Sequence, residues 1–484
     1  MKDKARCVMV MGTTSSAGKS WLASALCRWY ARQGLKVAPF KAQNMSNNAR
    51  VVPGGEIGSA QYFQALAARA QPDARMNPLL LKPERDDHSQ VVLFGRVDEE
   101  LTRKPWRGRS ASVWPAVAGA LDELRADNDV VVIEGAGSPA EINLQADDIV
   151  NLWVARHADA ACLLVSDIDR GGAFAHLYGT WALLPEADRR RIRGFVLNKF
   201  RGDAQLLKPA PQMLQDLTGV PTVATLPMWR DHGLPEEDGW YGHAFAQPVH
   251  GAPQRTVAIV AYPRISNLDE FQPLANLPGV QLVWARSPAE LAGADWIVLP
   301  GSKHTSSDLA WLRTQGLDRS IAAHAGAGRP VLGVCGGLQM LGEALVDPHG
   351  IDGNAPGLGL LPLVTQFAPD KTVQRTWARF APLAGPWAAL SHVEVGGYEI
   401  HHGHTAQHPG MAPARAVLPH ALGWQNDRGN VLGLYLHGLF EDPAVLHALF
   451  GAAAPTLDTV FDGLADFIDR HFEPGVLHGL IASP

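Results

Sequence analysis

Residues 331–342, VLGVCGGLQMLG, limit the fold more than any other stretch of the chain. Val331 to Val334 form a short apolar run that suits a buried strand. Cys335-Gly336-Gly337 make a sharp turn, and Leu338, Met340 and Leu341 open a helix. Such a strand–turn–helix passage is the unit of a parallel α/β sheet. A cysteine on a turn this tight is held out of the core beside a helix start, which favours its thiolate. The Gly336 N–H on the same turn faces a developing oxyanion. This is the layout of a nucleophile elbow with Cys in place of Ser. Taken alone, a buried Cys in an ordinary βα unit reads equally well, so the rest of the chain has to decide.

At 484 residues the chain has room for about three domains, or two large ones. With 46% hydrophobic and 19% charged residues it reads as an ordinary globular protein able to build large cores. A net charge of −6 gives no reason to expect a nucleic acid or an anionic membrane as partner. No apolar run reaches the roughly 18 residues that a membrane span needs. MKDKARCVMVMG runs straight into a strand and a Gly-rich loop, unlike a signal peptide. The four cysteines, Cys7, Cys27, Cys162 and Cys335, are too scattered for a disulfide framework. The profile is cytoplasmic.

In the first half, Cys7 to Met11 is an apolar strand leading into GTTSSAGKS, Gly12 to Ser20. The following helix carries Leu22, Ala25, Leu26, Trp29 and Tyr30 on one stripe. Strand, Gly-rich loop and helix together form a phosphate-binding loop. Backbone N–H groups from Gly12, Thr13, Ser15 and Gly18 would wrap the phosphates, Lys19 would reach the terminal phosphate, and Ser20 would ligate Mg²⁺. Five residues separate Gly12 from Gly18, one more than in the standard loop. That spacing resembles the dethiobiotin synthetase group of P-loop proteins. In VAPFKAQNMSNNAR, residues 37–50, the strand ends at Phe40 and a polar loop is expected at once. Ligands of open parallel sheets sit beyond strand carboxyl ends. Lys41 is therefore expected near the phosphoryl group, with Gln43, Asn44, Ser46 and Asn48 toward a polar substrate. Residues 56–70 and 112–126 read as helices and Val91–Phe94 as a strand. Lys82 and Arg85 are expected in a solvated loop. DVVVIEGAGSPAEINL, 129–144, ends a buried strand at Glu134, where a carboxylate holds Mg²⁺ directly or through water. Glu141 and Asn143 lie further along the same edge. Strands over 158–167, 192–200 and 220–227 follow, with Asn198-Lys199 at a strand end that commonly faces a nucleotide base. About seven strands alternating with helices predict a doubly wound α/β sheet.

AFAQPVHGAPQRT, 244–256, is Pro/Gly-rich and reads as a linker. Strand signals resume at TVAIVAYP, VQLVWAR and ADWIVLPGSKHTSSDL, with a helix N-cap expected among Ser306, Ser307 and Asp308. Gly301 sits at the edge where Cys335 emerges one strand later, so Gly301 and Gly336 supply the two halves of an oxyanion hole. Among 19 histidines, His437 ends an apolar strand and is chosen as the base for Cys335. His401, His402 and His404 lack further ligands at zinc spacing and read as a polar strand end.

GTTSSAGKS, FKAQNMSNN, IEGAGSPAEINL, DIDRGGAF, LPGSKHT, GVCGGLQMLG, YEIH and LYLHGLFE together resemble the cobyric acid synthase family, over nearly the whole chain. The sister family, cobyrinic acid a,c-diamide synthase, shares the architecture, and FKAQNMSNN favours the first. The resemblance implies an N-terminal dethiobiotin-synthetase-like P-loop sheet over residues 1–245 and a linker at 246–256. It further implies a class I glutamine amidotransferase-like α/β domain at 257–450 and a helical tail at 451–484. It implies ATP and Mg²⁺ as cofactors, with glutamine and a corrinoid carboxylate as substrates. Carboxylates b, d, e and g of adenosylcobyrinic acid a,c-diamide would be amidated in turn. Cys335 would be the glutaminase nucleophile and His437 its base. Related amidotransferases place a Glu two residues after this His, but the position is Leu439 here, so the third member is unassigned, with Glu441 a weak candidate. The sequence is compatible with a homo-oligomer and leaves open where the tail after Pro455 packs, on the second domain or on another subunit. A P-loop regulatory ATPase with an inactive second domain is the rival class.

Overall fold

The strand Arg6–Gly12 sends Cys7, Met9 and Met11 into one apolar core and Val8 and Val10 into another. This alternation means that both faces of its sheet are covered. The computed structural model describes residues 4–482, apart from 86–87, 106–107, 231, 236–253, 408–409 and 411–413. Six strands form the first sheet in the order Thr222–Pro227, Ile192–Phe200, Ala161–Asp167, Arg6–Gly12, Val130–Glu134, Val37–Phe40. All neighbours are parallel. The helix Lys19–Arg32 buries the expected stripe against one face.

The second sheet runs Val280–Ala285, Arg255–Val260, Trp296–Leu299, Val331–Val334, Val431–Leu434, Gly423–Gln425, Arg415–Leu418. Its first five strands are parallel and the last two antiparallel. The chain is thus an α/β protein of two largely parallel sheets, with Cys335 at a strand carboxyl end of the second.

Several local expectations change. The polar loop after Phe40 contains the short strands Gln43–Met45 and Ala49–Val52, and Gly55–Gly58 precedes a helix that begins only at Ser59. Pro53-Gly54 makes the turn between the last two strands. The seventh strand, His88–Leu93, lies outside the main sheet and pairs with Leu79–Arg85. Pro83 is tolerated there because Gln43–Met45, the neighbour on the other side, pairs only with Leu79–Leu81 and stops short of it. Lys82 is consequently buried rather than solvated. His304, not a residue of Ser306–Asp308, occupies the N-cap of Thr305–Thr314, and Asp352 accepts the Thr305 and Ser306 N–H groups at 2.7 Å. His401, His402 and His404 sit within the long strand Glu394–Gln407, paired with Leu363–Arg379, and not at a strand end. Most of the expected linker, 246–253, lies outside the described residues.

The tail after Pro455 takes neither of the places left open. Its helix Leu457–His471 returns to the first sheet and packs Val460, Phe461, Leu464 and Ile468 into the core shared with Leu22, Leu26 and Tyr30. Trp29 Nε1 donates to Asp469 at 2.8 Å, and Tyr30 donates to the Leu477 carbonyl at 2.8 Å.

Candidate active site

Two clusters of polar residues form at strand carboxyl ends, one on each sheet. At the first, Gly18 takes φ +101°, a left-handed conformation open to glycine, and starts the helix Lys19–Arg32. Lys19 Nζ donates to the carbonyls of Thr14 at 3.0 Å and Gly137 at 3.3 Å. Gly12 passes beneath Lys19, since a Cβ there would lie 3.0 Å from its Nζ. Thr13 donates its hydroxyl to Ser166 at 3.1 Å, and Ser15 is exposed. Asn198 Nδ2 donates to the Ala17 carbonyl at 2.8 Å, and Lys199 Nζ to the Ser16 carbonyl at 2.9 Å. Both residues therefore brace the loop from Ile192–Phe200, two strands away from Arg6–Gly12.

Glu134 is the centre of this cluster. Its Oε1 accepts from Ser20 at 2.8 Å and Lys41 at 2.9 Å, and its Oε2 from Gln64 at 2.5 Å and Gln61 at 3.5 Å. Burial alone would push the carboxyl up, but the Lys41 ammonium and these hydrogen bonds outweigh it and hold Glu134 below the ordinary range. Asn44 donates to Gln61 at 3.2 Å, extending the network toward Gln43–Met45. Ser20 and Glu134 offer hard oxygens 2.8 Å apart, close to an edge of an octahedron built on Mg–O distances of about 2.1 Å. The donor set fits Mg²⁺, with phosphate oxygens and water left to complete the shell. Gln61 and Gln64 were missed by sequence reasoning. Their i, i+3 spacing on one face of Ser59–Ala67 was the available signal.

The other substrate-facing expectations are unevenly placed. Gln43 is half-buried in its strand, and Ser46 accepts from the Asn48 N–H at 3.0 Å. Asn48 Oδ1 accepts from the Leu268 N–H of the second half at 3.1 Å. Glu141 and Asn143 are exposed on a turn, and neither forms a side-chain hydrogen bond among the described residues.

At the second cluster, Cys335 has φ 52° and ψ −106°, a strained conformation for a non-glycine residue. The turn needs glycine at 337, because a Cβ there would approach the Leu299 carbonyl oxygen to 1.9 Å. The residues expected to form the oxyanion hole come together. A Cβ on Gly336 would lie 2.7 Å from Ser302 N, and one on Gly301 would lie 2.9 Å from His437 Cε1. Gly336 is the first residue of its helix, so its N–H has no intrahelical acceptor.

His437 is fully buried three residues beyond the end of Val431–Leu434, the strand paired with Val331–Val334. Its Nδ1 lies 2.9 Å from Glu270 Oε1, whose other oxygen accepts from the Gly438 N–H at 2.8 Å. Nε2 has no hydrogen-bond partner by geometry among the described residues, and Cys335 is the charged group that acts on the ring from its other side. Burial opposes the imidazolium, but the charges of Glu270 and Cys335 outweigh it and raise His437 to about 10. Glu441, the weak sequence candidate for orienting this ring, instead pairs with Arg50 at 2.5 Å. Glu270 was missed, and nothing in its NLDEF context marks it.

A cavity of about 370 Å³ lies beside Cys335. Ser302 and Lys303 line it from the second half, and Asn47, Lys82 and Glu84 from the first. Lys303 Nζ donates to Glu84 at 2.8 Å across this boundary. Burial pushes Lys82 down to about 7 even with Glu56 at 2.6 Å. No described helix is long and apolar enough to cross a membrane.

Residues 8–237 match the family described as the CobQ/CobB/MinD/ParA nucleotide binding domain, and residues 256–445 the CobB/CobQ-like glutamine amidotransferase domain. Across 478 residues the chain is 79% identical to the cobyric acid synthase of Variovorax paradoxus (strain S110), covering 99% of each chain. It is 73% identical over 485 residues to that of Polaromonas naphthalenivorans (strain CJ2), covering 99% of this chain and 100% of that one. It is 72% identical over 502 residues to that of Polaromonas sp. (strain JS666 / ATCC BAA-500), covering 99% of each.

Proposed function

The chain belongs to the cobyric acid synthase family of glutamine-dependent amide-forming ligases, and from that premise we propose how its two clusters divide the work. The proposed reaction amidates carboxylates b, d, e and g of adenosylcobyrinic acid a,c-diamide, consuming one ATP and one glutamine at each. The nucleotide chemistry belongs to residues 1–245 with the tail 451–484, and the glutaminase to 257–450.

A carboxylate does not react with ammonia, because its leaving group would be oxide. Transfer of the γ-phosphoryl group gives an acyl phosphate and ADP, and attack by ammonia then expels phosphate. Lys19 and Lys41 would balance the charge of the phosphoryl group in flight, with the P-loop amides on the other phosphates. Ser20 and Glu134 would hold Mg²⁺, which when bound supplies charge neutralisation at the nucleotide phosphates. Gln43, Asn44, Ser46, Asn48, Glu141 and Asn143 remain the proposed substrate-facing residues, and Asn198 and Lys199 the loop's nucleotide-side supports.

At the other cluster Cys335 gives its proton to His437 and attacks the glutamine side-chain amide. Glu270 holds the ring in the orientation that leaves Nε2 toward the thiol. Amide N–H groups at Gly301 and Gly336 would receive the oxyanion. His437 returns the proton to the departing ammonia, and water then releases glutamate from the thioester.

The observation that carries the reading is the shared cavity: Cys335 and the first half's Asn47 and Lys82 line one space, so ammonia released at Cys335 would enter a cavity that the first half also lines. The test compares nitrogen sources on the purified protein with the a,c-diamide substrate. Cys335→Ala is expected to abolish glutamine-driven synthesis and keep synthesis from ammonium, whereas Lys19→Ala abolishes both. Loss of both activities in a folded Cys335→Ala protein, or ammonium-driven activity in Lys19→Ala, overturns the division of labour.

A further inference from the structure

The carboxylate that orients His437 stands on a segment with little structure of its own. Leu268–Phe271 is a single 3-10 turn outside the sheet, entered through Asn267 at φ 55°. The first half of the chain holds this turn at several points. The Ala49 N–H donates to Asn267 Oδ1 at 2.9 Å, Asn48 Oδ1 accepts from the Leu268 N–H at 3.1 Å, and Ser59 donates to Asp269 at 3.4 Å.

Arg50 is the strongest of these ties. It comes from the short strand Ala49–Val52, two residues beyond Asn48 and four beyond Ser46. Its guanidinium is buried, with Nε donating to Asp269 Oδ2 at 3.0 Å and Nη2 to the same oxygen. Nη1 pairs with Glu441 at 2.5 Å. The guanidinium carbon also lies 5.0 Å from the centroid of the Tyr398 ring. Tyr398 in turn stacks on His437, centroids 5.2 Å apart and planes 16° off parallel. Arg50 therefore touches the residue preceding Glu270 and the ring behind His437. It is also the counter-charge for Asp269, a buried carboxylate next to Glu270, and for the partly exposed Glu441. Without it, the buried Asp269 would lose its ion-pair partner directly beside Glu270, and the turn would have to rearrange or take up a proton.

We propose that Arg50 is a positioning residue for glutamine hydrolysis: it holds Glu270 and His437 in register, so that the glutaminase answers to the state of the substrate-side strand from which Arg50 comes. This inference rests on the assignment of Cys335, His437 and Glu270 to glutaminase chemistry. An arginine serves here because its planar fork meets two carboxylates and a ring face at once, which a lysine cannot match.

The experiment measures glutamate release against glutamine concentration, with and without ATP and the a,c-diamide, in the full chain. Wild type, Arg50→Lys, Arg50→Met and Cys335→Ala are compared, with ammonium-driven synthesis measured in each. Arg50→Met is expected to lose kcat for glutamate release by roughly a hundredfold, with little change in KM, because the reacting groups lose alignment. Arg50→Lys recovers part of that loss, and the rate gain from ATP and corrinoid disappears in Arg50→Met. Ammonium-driven synthesis stays near wild type in both. Wild-type glutamate release in Arg50→Met overturns the proposal, as does equal loss of glutamate release and ammonium-driven synthesis in Arg50→Lys. Should Arg50→Met fail to fold, Arg50→Lys decides: lowered kcat with intact ammonium use supports the proposal, and unchanged kcat refutes it. Glutamine-driven synthesis persisting in Cys335→Ala would instead remove the glutaminase assignment beneath it.

Discussion

His437 leans on a carboxylate 167 positions earlier in the chain. The place two residues after it, where a glutamate was looked for, is Leu439, which is buried in the core of the second sheet. Glu270 fills the need from another segment, so the apparent gap in the Cys–His pair closes in space. Glu270→Gln keeps the shape but loses the charge that supports the imidazolium. Glutamate release is expected to fall by roughly 10²- to 10⁴-fold, as when the acid of such a triad becomes an amide, with ammonium-driven synthesis unchanged. A rate within a few-fold of wild type would remove Glu270 from the mechanism. Cys335 was legible because its strained turn needs Gly336-Gly337 beside it in sequence. Glu270 was not, because a lone carboxylate on a short turn has no local pattern.

At the scale of elements, the helix Leu457–His471 matters most for the nucleotide side. It packs on Lys19–Arg32, the helix that begins with the lysine and serine proposed to meet the phosphates and Mg²⁺. Arg28, fully buried on that helix, pairs with Asp458 of the tail. The tail helix thus supports the helix that follows the Gly12–Ser20 loop. Leu464 is completely buried in this contact, so Leu464→Ala should cost about 2–5 kcal/mol of stability. Chemical denaturation would show this as a lower midpoint, and an unchanged midpoint would mean that the tail is not part of the folded unit. The helix itself was legible as a helical tail. Its docking partner was not, because an apolar stripe says that a face is buried and not against what.

For the whole molecule, the decisive feature is the contact between the halves. Lys371, on the long strand Leu363–Arg379 of the second half, pairs with Glu56 of the first, which also holds Lys82. Burial would raise Glu56, but Lys371 and Lys82 outweigh it and bring the carboxyl to about 2 from an ordinary 4.5. A lowered carboxyl adds stability that is present above pH 4.5 and fades as pH falls toward 2. Glu56→Gln should therefore flatten the acid limb of the unfolding free energy in that window, measured by denaturant titration at several pH values. An acid limb identical to that of wild type would remove Glu56 from the account of the interface.

The repeated passage from apolar strand through glycine turn to helix was enough to determine two parallel α/β sheets and to put the Gly12–Ser20 loop, Glu134, Cys335 and His437 at strand ends. Those features depend on neighbours within a few residues, where backbone geometry and side-chain periodicity are set. The Gln61–Gln64 grip on Glu134, the Glu270 support for His437, the return of the tail and the seat of Arg50 between the halves were decided only by tertiary packing. Each joins distant segments through a few hydrogen bonds, ion pairs or a buried face, and such partners are chosen by where the sheets meet.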